Sequence, residues 1–287
     1  MKFQKQEISQ EIDPQIDSRL ANVEYSQMSV NRNFLRNISR IIQLTQPHQS
    51  TVPLVRIGQN GDGGYVIATI FQSKICLNLG VGLEVSADED LLGRNFKIYA
   101  FDGTVPNPLP DEPSYIFTEK NIGFVETNEK MTNLRKIFTE NADLEELDLI
   151  LIDIEGNEYS VLKEELEFVK KAKQVVIEFH GLELLGDSNF SVTFINILDQ
   201  QTMTHSPIHV HANNSGGALP LGGAHWPTIL EVTFAKNEYC TGEINYGPFP
   251  TSMDFPNVNI RPDMDLTPFY GCQKTYASLA RTIFGID

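Results

Sequence analysis

The run Lys74-Ile-Cys-Leu-Asn-Leu-Gly-Val-Gly-Leu-Glu84 decides the fold. Residues 75–79 are short and almost wholly apolar, as in a strand buried on both faces. Gly80 and Gly82 then end it in a sharp turn where a ligand can meet backbone without a Cβ in the way. Working outward, similar short runs at 97–101, 115–118, 147–153, 174–179, 205–210 and 228–234 predict six more strands. Between them, apolar residues fall three or four apart: Met131, Leu134 and Phe138; Leu162, Leu166 and Val169; Phe190, Phe194, Ile197 and Leu198. Strands alternating with amphipathic helices are the signature of βαβ units. The expected fold is therefore α/β, a Rossmann-like, doubly wound, seven-stranded and mostly parallel sheet with an N-terminal helical extension.

Residues 1–28 are polar and aperiodic and read as a loosely held arm, followed over 29–44 by a helix built on Val30, Phe34, Ile38 and Ile41. Two β-like runs, 54–57 and 65–70, flank the turn-rich Gly58-Gln-Asn-Gly-Asp-Gly-Gly64. The tail is rich in Pro, Gly, Tyr and Phe, with a helix expected at 274–284 and no role set by its pattern. The chain divides on this reading into an arm and helix (1–50), an α/β domain (51–237) and a C-terminal extension (238–287).

Of the 287 residues, 38 are Asp or Glu and 22 Lys or Arg, a formal charge of −16. That opposes nonspecific attraction to nucleic acid or anionic lipid, and neither is an expected partner. Three scattered cysteines make no disulfide framework, and neither a leader-like apolar segment nor a run of about 18 apolar residues occurs. A cytoplasmic protein in a reducing compartment is expected.

The strand 97–101 is followed by Asp102, 20 residues past Gly82, the offset at which a carboxylate meets ribose hydroxyls. A dinucleotide fingerprint would put a third glycine at position 85, where this chain has Val85. A ribose without a diphosphate fits S-adenosylmethionine.

Gly80-Val-Gly82, Phe101-Asp102-Gly-Thr104 and Leu147-Asp-Leu-Ile-Leu-Ile-Asp153-Ile-Glu155-Gly156-Asn-Glu158 together resemble the FkbM-type S-adenosylmethionine-dependent methyltransferases. Arg56-Ile-Gly58, Asp62-Gly-Gly-Tyr65, Val176-Ile-Glu178-Phe-His180 and Trp226-Pro-Thr-Ile-Leu-Glu231 are similar to the branch grouped with methyltransferase-like protein 24. The resemblance spans roughly residues 52–236. It implies a class I methyltransferase fold, with Gly80, Gly82 and Asp102 lining the cofactor and Asn121 and Ile122 near the adenine. It also suggests methylation of oxygen on a small molecule or glycan. The chain departs from the pattern at Asn78, where such enzymes commonly carry an acid.

Further candidates sit at neighbouring turns and strand ends. Asp62 is placed to meet the cofactor's ammonium, with Arg56 and the Gly63 and Gly64 N–H groups for its carboxylate. Asp153 is the expected base or orienter of the acceptor, with His180 and His211 as catalytic companions. Asp153, Glu178 and His211 are also a candidate ligand set for Mg²⁺ or Mn²⁺, with Asn213 nearby. The loop over 213–223 is expected to lie over the site. Rival readings are a metal-dependent enzyme of another reaction class on the same fold, and a catalytically silent binding module.

Overall fold

All seven expected strands assemble into one sheet. In chain order they are β1 (Ile75–Leu79), β2 (Lys97–Phe101), β3 (Tyr115–Thr118), β4 (Leu149–Ile152), β5 (Gln174–Phe179), β6 (His205–Ala212) and β7 (Leu230–Lys236). They lie in the order β6-β7-β5-β4-β1-β2-β3. Only β7 runs against its neighbours β5 and β6. This is the expected Rossmann-like, mostly parallel α/β fold. The structure is a computed structural model that describes residues 32–125, 128–221 and 224–271. The arm expected over 1–28 and the helix at 274–284 lie outside the described residues.

Strand β4 is shorter than its apolar run, and just before it the Asp148 side chain accepts hydrogen bonds from the Gln72 and Lys74 N–H groups and from Lys173 Nζ. Strand β6 is longer, its pairing with β7 continuing to Ala212 opposite Leu230.

Among the described residues, five helices of seven residues or more flank the sheet: α1 (Arg32–Thr45), α2 (Ser86–Gly93), α3 (Leu134–Glu140), α4 (Glu158–Val169) and α5 (Ser188–Gln201). Asn133 caps α3 through the Lys136 N–H, and Asp187 caps α5 through the Asn189 and Phe190 N–H groups. Met131, expected in α3, instead lies in a two-residue strand that pairs Met131–Thr132 with Asn121–Ile122. Helices α1, α3, α4 and α5 share one core face. Ile38 and Ile41 of α1 are fully buried there, each worth about 1.5–3 kcal/mol of transfer free energy. Phe249, Phe269 and Tyr270 belong to the same core, and Tyr270 Oη is 2.8 Å from Thr45 Oγ1. The opposite face carries α2 and an antiparallel hairpin of Leu54–Ile57 with Tyr65–Ala68.

Alternation along the strands sorts the polar residues. In β4, Ile150 and Ile152 face the core shared with α4, while Leu149 and Leu151 face the hairpin. Asp153 therefore emerges on the hairpin side. By the same count so do Asn78, Glu178, His180 and Glu231, and Thr233 confirms it by donating from Oγ1 to the hairpin carbonyl of Val66. Residues 245–265 cover the far end of this face. Within the segment expected as a loop over 213–223, Ala218–Leu221 forms a strand that pairs with Ala224–Pro227.

Candidate functional site

The chain leaves β1 for β2 and β3, then returns to place β4 on β1's other side. The carboxyl ends of β1 and β4 thus flank the switch point where ligands collect in such sheets. A cavity of about 490 Å³ opens there, lined by Gly80, Gly82, Asp102, Asn121, Ile122 and Asp153, among others. Gly80 has φ +83, and a Cβ on it would lie 1.6 Å from the Asp153 carbonyl oxygen, so the two strand ends touch only because this residue is glycine. Gly82 has φ +64, and a Cβ there would meet nothing within 4 Å: it faces the open cavity.

Asp102 does reach the glycine turn, but its carboxylate is engaged by the protein. Oδ2 accepts from the Val81 and Gly82 N–H groups at 3.0 and 2.8 Å, and Oδ1 from the Thr104 N–H and hydroxyl, both at 2.6 Å. Those four bonds fill about the four lone-pair sites of a carboxylate. Burial alone would raise its pKa, yet the bonds from Thr104, Gly82 and Val81 outweigh it and hold Asp102 below the usual carboxylate range. Asp102 shapes the turn rather than pointing a free oxygen at a ribose. Asn121 Oδ1 fixes the next peptide by accepting from the Gly103 N–H.

Asn78 is answered from α2. Its amide donates to both oxygens of Asp88, at 2.9 and 3.1 Å, and Tyr115 Oη donates to the same carboxylate. Asp88 is 1% exposed, and burial pushes its pKa up to about 6 against the lowering bonds from Asn78 and Tyr115. The wall thus regains an acid at the point where the strand lacks one. Glu84 adds another: its Oε2 is buried without a hydrogen-bond partner. The cavity lining holds six carboxylates, Asp62, Glu84, Asp88, Asp102, Asp153 and Glu155, and among the described residues no Lys, Arg or His. Such a wall favours a ligand bringing positive charge and donors, and repels a diphosphate.

Asp62 and Gly63 of the hairpin turn line the cavity as expected, and Asp62 Oδ1 accepts from Asn257 Nδ2. Arg56 does not join them. Its guanidinium donates to the carbonyls of Gln59, Gly61 and Met253 and lies over the Phe255 ring, so it closes the turn instead of meeting a ligand carboxylate. The Gly64 N–H is likewise taken, by the Gly61 carbonyl.

Beyond Asp153 the strand register sets Glu178 of β5 opposite Glu231 of β7, and Glu231 opposite His211 of β6. His180, one residue past β5, turns Nδ1 to Glu158 Oε1 at 3.1 Å. Its Nε2 faces Glu155 Oε2 and Glu178 Oε1, each 3.5 Å away, and Asp153 Oδ1 at 3.8 Å. Burial, with Glu155, Glu158 and Glu231 added, pushes Asp153 up to about 7 although His180 pulls the other way. Burial and then Asp153 hold Glu178 well above its ordinary range. For His180 burial favours the neutral ring, but Glu158 and its neighbours prevail and the pKa is raised.

The expected set Asp153, Glu178 and His211 does not converge. His211 Nδ1 is 3.0 Å from Glu231 Oε2 and its Nε2 is 3.1 Å from Asp263 Oδ1, so both ring nitrogens are occupied. Asn213 donates to Glu178 Oε1. Among the described residues the group whose ligand atoms gather within 4.8 Å is Asp153, Glu155 and His180. His211 is instead a structural cation. Burial opposes its charge, but Glu231 and Asp263 raise its pKa to about 10.

Sequence reading misses Asp88, Glu84, Glu155 and the tail acids as site residues. Asp88 follows Asn78 by ten residues, which puts one on the strand and the other on the following helix, a signal legible in the sequence. Asp254, 2.8 Å from His209 Nε2, and Asp263 lie 45 and 52 residues from their partners in an aperiodic tail, and nothing local announces them.

The profile of the Methyltransferase FkbM domain family matches residues 39–200. No curated protein matches the chain. Among solved structures it is similar to a fibrillarin/Nop5p complex, with 16% identity, TM-score 0.38, and 58% of this chain and 74% of that one covered. It is similar to a 16S rRNA (adenine(1408)-N(1))-methyltransferase from Catenulisporales acidiphilia, with 11% identity, TM-score 0.30, and 63% and 97% covered. A Burkholderia thailandensis 1,6-didemethyltoxoflavin-N1-methyltransferase with bound S-adenosylhomocysteine gives 11% identity, TM-score 0.29, and 72% and 80% covered. Superpositions this loose do not bear on the substrate. No helix among the described residues is long and apolar enough to cross a membrane.

Proposed function

The chain belongs to the FkbM methyltransferase domain family, whose profile covers more than half of it, and from that premise we propose that it transfers a methyl group from S-adenosylmethionine to an oxygen of a small molecule or glycan. The observation that carries the reading is the cavity at the β1–β4 switch point, walled by six carboxylates and no basic side chain among the described residues. S-adenosylmethionine fits that donor set, because it brings an ammonium, a sulfonium and ribose hydroxyls to acceptors such as Glu84 Oε2, which is buried without a partner. A nicotinamide dinucleotide would bring two phosphates to the same wall.

When bound, the cofactor supplies an electrophilic methyl on a good leaving group, so the protein's task is alignment. Asp102 holds the Val81 and Gly82 peptides and so fixes the wall that meets the ribose. Asn121 and Ile122 border the adenine end. Asp62, on the hairpin side, meets the ammonium. Asp153 stands at the β4 end, its side chain about one-third exposed and lining the cavity, placed to orient an acceptor hydroxyl and draw off its proton. His180 stands behind it. Asp88 behind Asn78 keeps a carboxylate in the cofactor wall.

The test is transfer of a labelled methyl group across a panel of small-molecule alcohols and glycans. Labelled methyl ethers are expected. Label found only on nitrogen, or in no product while cofactor binds, would overturn the acceptor class or the activity respectively.

A further inference from the structure

His180 is fixed in one orientation by a residue outside the cavity. Glu158, fully buried, accepts from the Ile154 and Gly156 N–H groups through the same Oε1 that meets His180 Nδ1. A carboxylate held by two N–H donors draws a ring proton to Nδ1, so an ion arriving at Nε2 has only the proton there to displace. Nε2 faces Asp153 Oδ1 at 3.8 Å and Glu155 Oε2 at 3.5 Å.

Those distances exceed a good hydrogen bond. They fall at the wide end of the spacing of adjacent ligand atoms around an ion with bonds of about 2.1–2.3 Å, which geometry sets at roughly 3.0 Å for octahedral and 3.8 Å for tetrahedral coordination. Two further observations are independent of the cluster's charge. Asp153 Oδ1 is buried and accepts no hydrogen bond, though it sits among donors and acceptors. Glu155, a non-glycine residue, has φ +54, a conformation costing on the order of 1–2 kcal/mol, and it brings Oε2 to 3.5 Å from Nε2 although its side chain is 85% exposed. Strain of that kind persists where surrounding structure demands it.

The geometry points to a divalent-cation site formed by His180 Nε2, Asp153 and Glu155 at the acceptor end of the cavity, with Glu158 as the partner that orients the imidazole. A carboxylate–imidazole–cation relay is a recurrent way to fix a ligand ring. The mixed oxygen and nitrogen set suits Mn²⁺, Zn²⁺ or Mg²⁺, and Glu155, exposed to solvent, provides the entry. Glu178 Oε1, 3.5 Å from Nε2, stands by as a fourth donor while it accepts from Asn213. An acceptor hydroxyl reaching such an ion would be oriented and made more acidic. The site rests on His180 and its neighbours, not on the reading of the cofactor end.

Full-length protein stripped with a chelator is titrated with Mn²⁺, and free ion is followed by electron paramagnetic resonance. One saturable site is expected. Glu155→Gln, at an exposed position, and His180→Gln should each weaken it by at least tenfold, whereas Glu167→Gln, an exposed acid on α4, should leave it unchanged. No saturable binding up to millimolar Mn²⁺ overturns the site, as does equal affinity in wild type and Glu155→Gln. Should His180→Gln fail to fold, the Glu155→Gln comparison decides alone. Bound S-adenosylhomocysteine without Mn²⁺ binding would sink the cation site and leave the methyltransferase reading standing.

Discussion

The two ends of the cavity solve the burial of charge in opposite ways. At the β1–β2 end, Asp102 has four hydrogen bonds, all within the turn it shapes. At the β4–β5 end, Asp153, Glu155 and Glu178 each face His180 Nε2 across 3.5–3.8 Å. The first arrangement stabilises a shape, whereas the second holds charge in tension. Clusters of titratable groups with shifted pKa values mark sites of chemistry more often than of stability.

The largest effect is expected from Gly80→Ala, which drives a Cβ into the Asp153 carbonyl at positive φ. It should cost more than about 3 kcal/mol, read by chemical denaturation, because it separates the two ends. A loss under about 1 kcal/mol would mean that they are not in contact.

Next comes His211, 4% exposed between Glu231 and Asp263. Removing one partner of such a buried pair costs about 3–5 kcal/mol. Its pKa is raised to about 10, so its stabilisation is complete below the unfolded value near 6.5 and is lost as pH climbs through about 10. Asp254 gives the acid-side counterpart: opposing burial, His209 and its other partners lower it to about 2, so its contribution is present above about 3.9 and disappears as pH falls through 2. Stability of His211→Gln should accordingly lack the wild-type decline between pH 6.5 and 10. An unchanged alkaline decline would remove His211 as its source.

Asp88 tests the β1–β2 end with the opposite sign. A carboxyl raised to about 6 opposes folding progressively as pH rises from about 3.9 to 6, so wild-type stability should lose a contribution over that window that Asp88→Asn does not lose. Parallel stability profiles of the two proteins between about pH 4 and 7 would contradict a buried Asp88 that ionises near 6. Asp102→Ala should loosen the turn and weaken S-adenosylhomocysteine at least tenfold, about 1.4 kcal/mol, as measured by calorimetry. The smallest effect, under about 0.5 kcal/mol, is expected for Arg135→Ala, whose pairing with Glu167 is two-thirds exposed.

The same contrast explains how much of each end is legible in the sequence. The β1–β2 end is built within about 25 residues, so the glycines, the 20-residue offset to Asp102 and the order of strands can be read as pattern. The other end is assembled from β4, β5, β6, β7 and the tail. Its histidines are visible as candidates, but their partners are not: Asp254, Asn257 and Asp263 come from an aperiodic stretch. His211 therefore looks like a ligand in the sequence and proves to be the centre of an ion pair. Glu155, three residues past the end of β4, is brought to His180 by a left-handed backbone that no side-chain pattern encodes.

Calorimetric titration of the full chain with S-adenosylhomocysteine and, separately, with NAD⁺ tests the acid-walled cavity most directly. One saturable site for the nucleoside thioether and no heat from the dinucleotide is the predicted result. Binding of NAD⁺ in preference, or of neither compound at millimolar concentration, would contradict it.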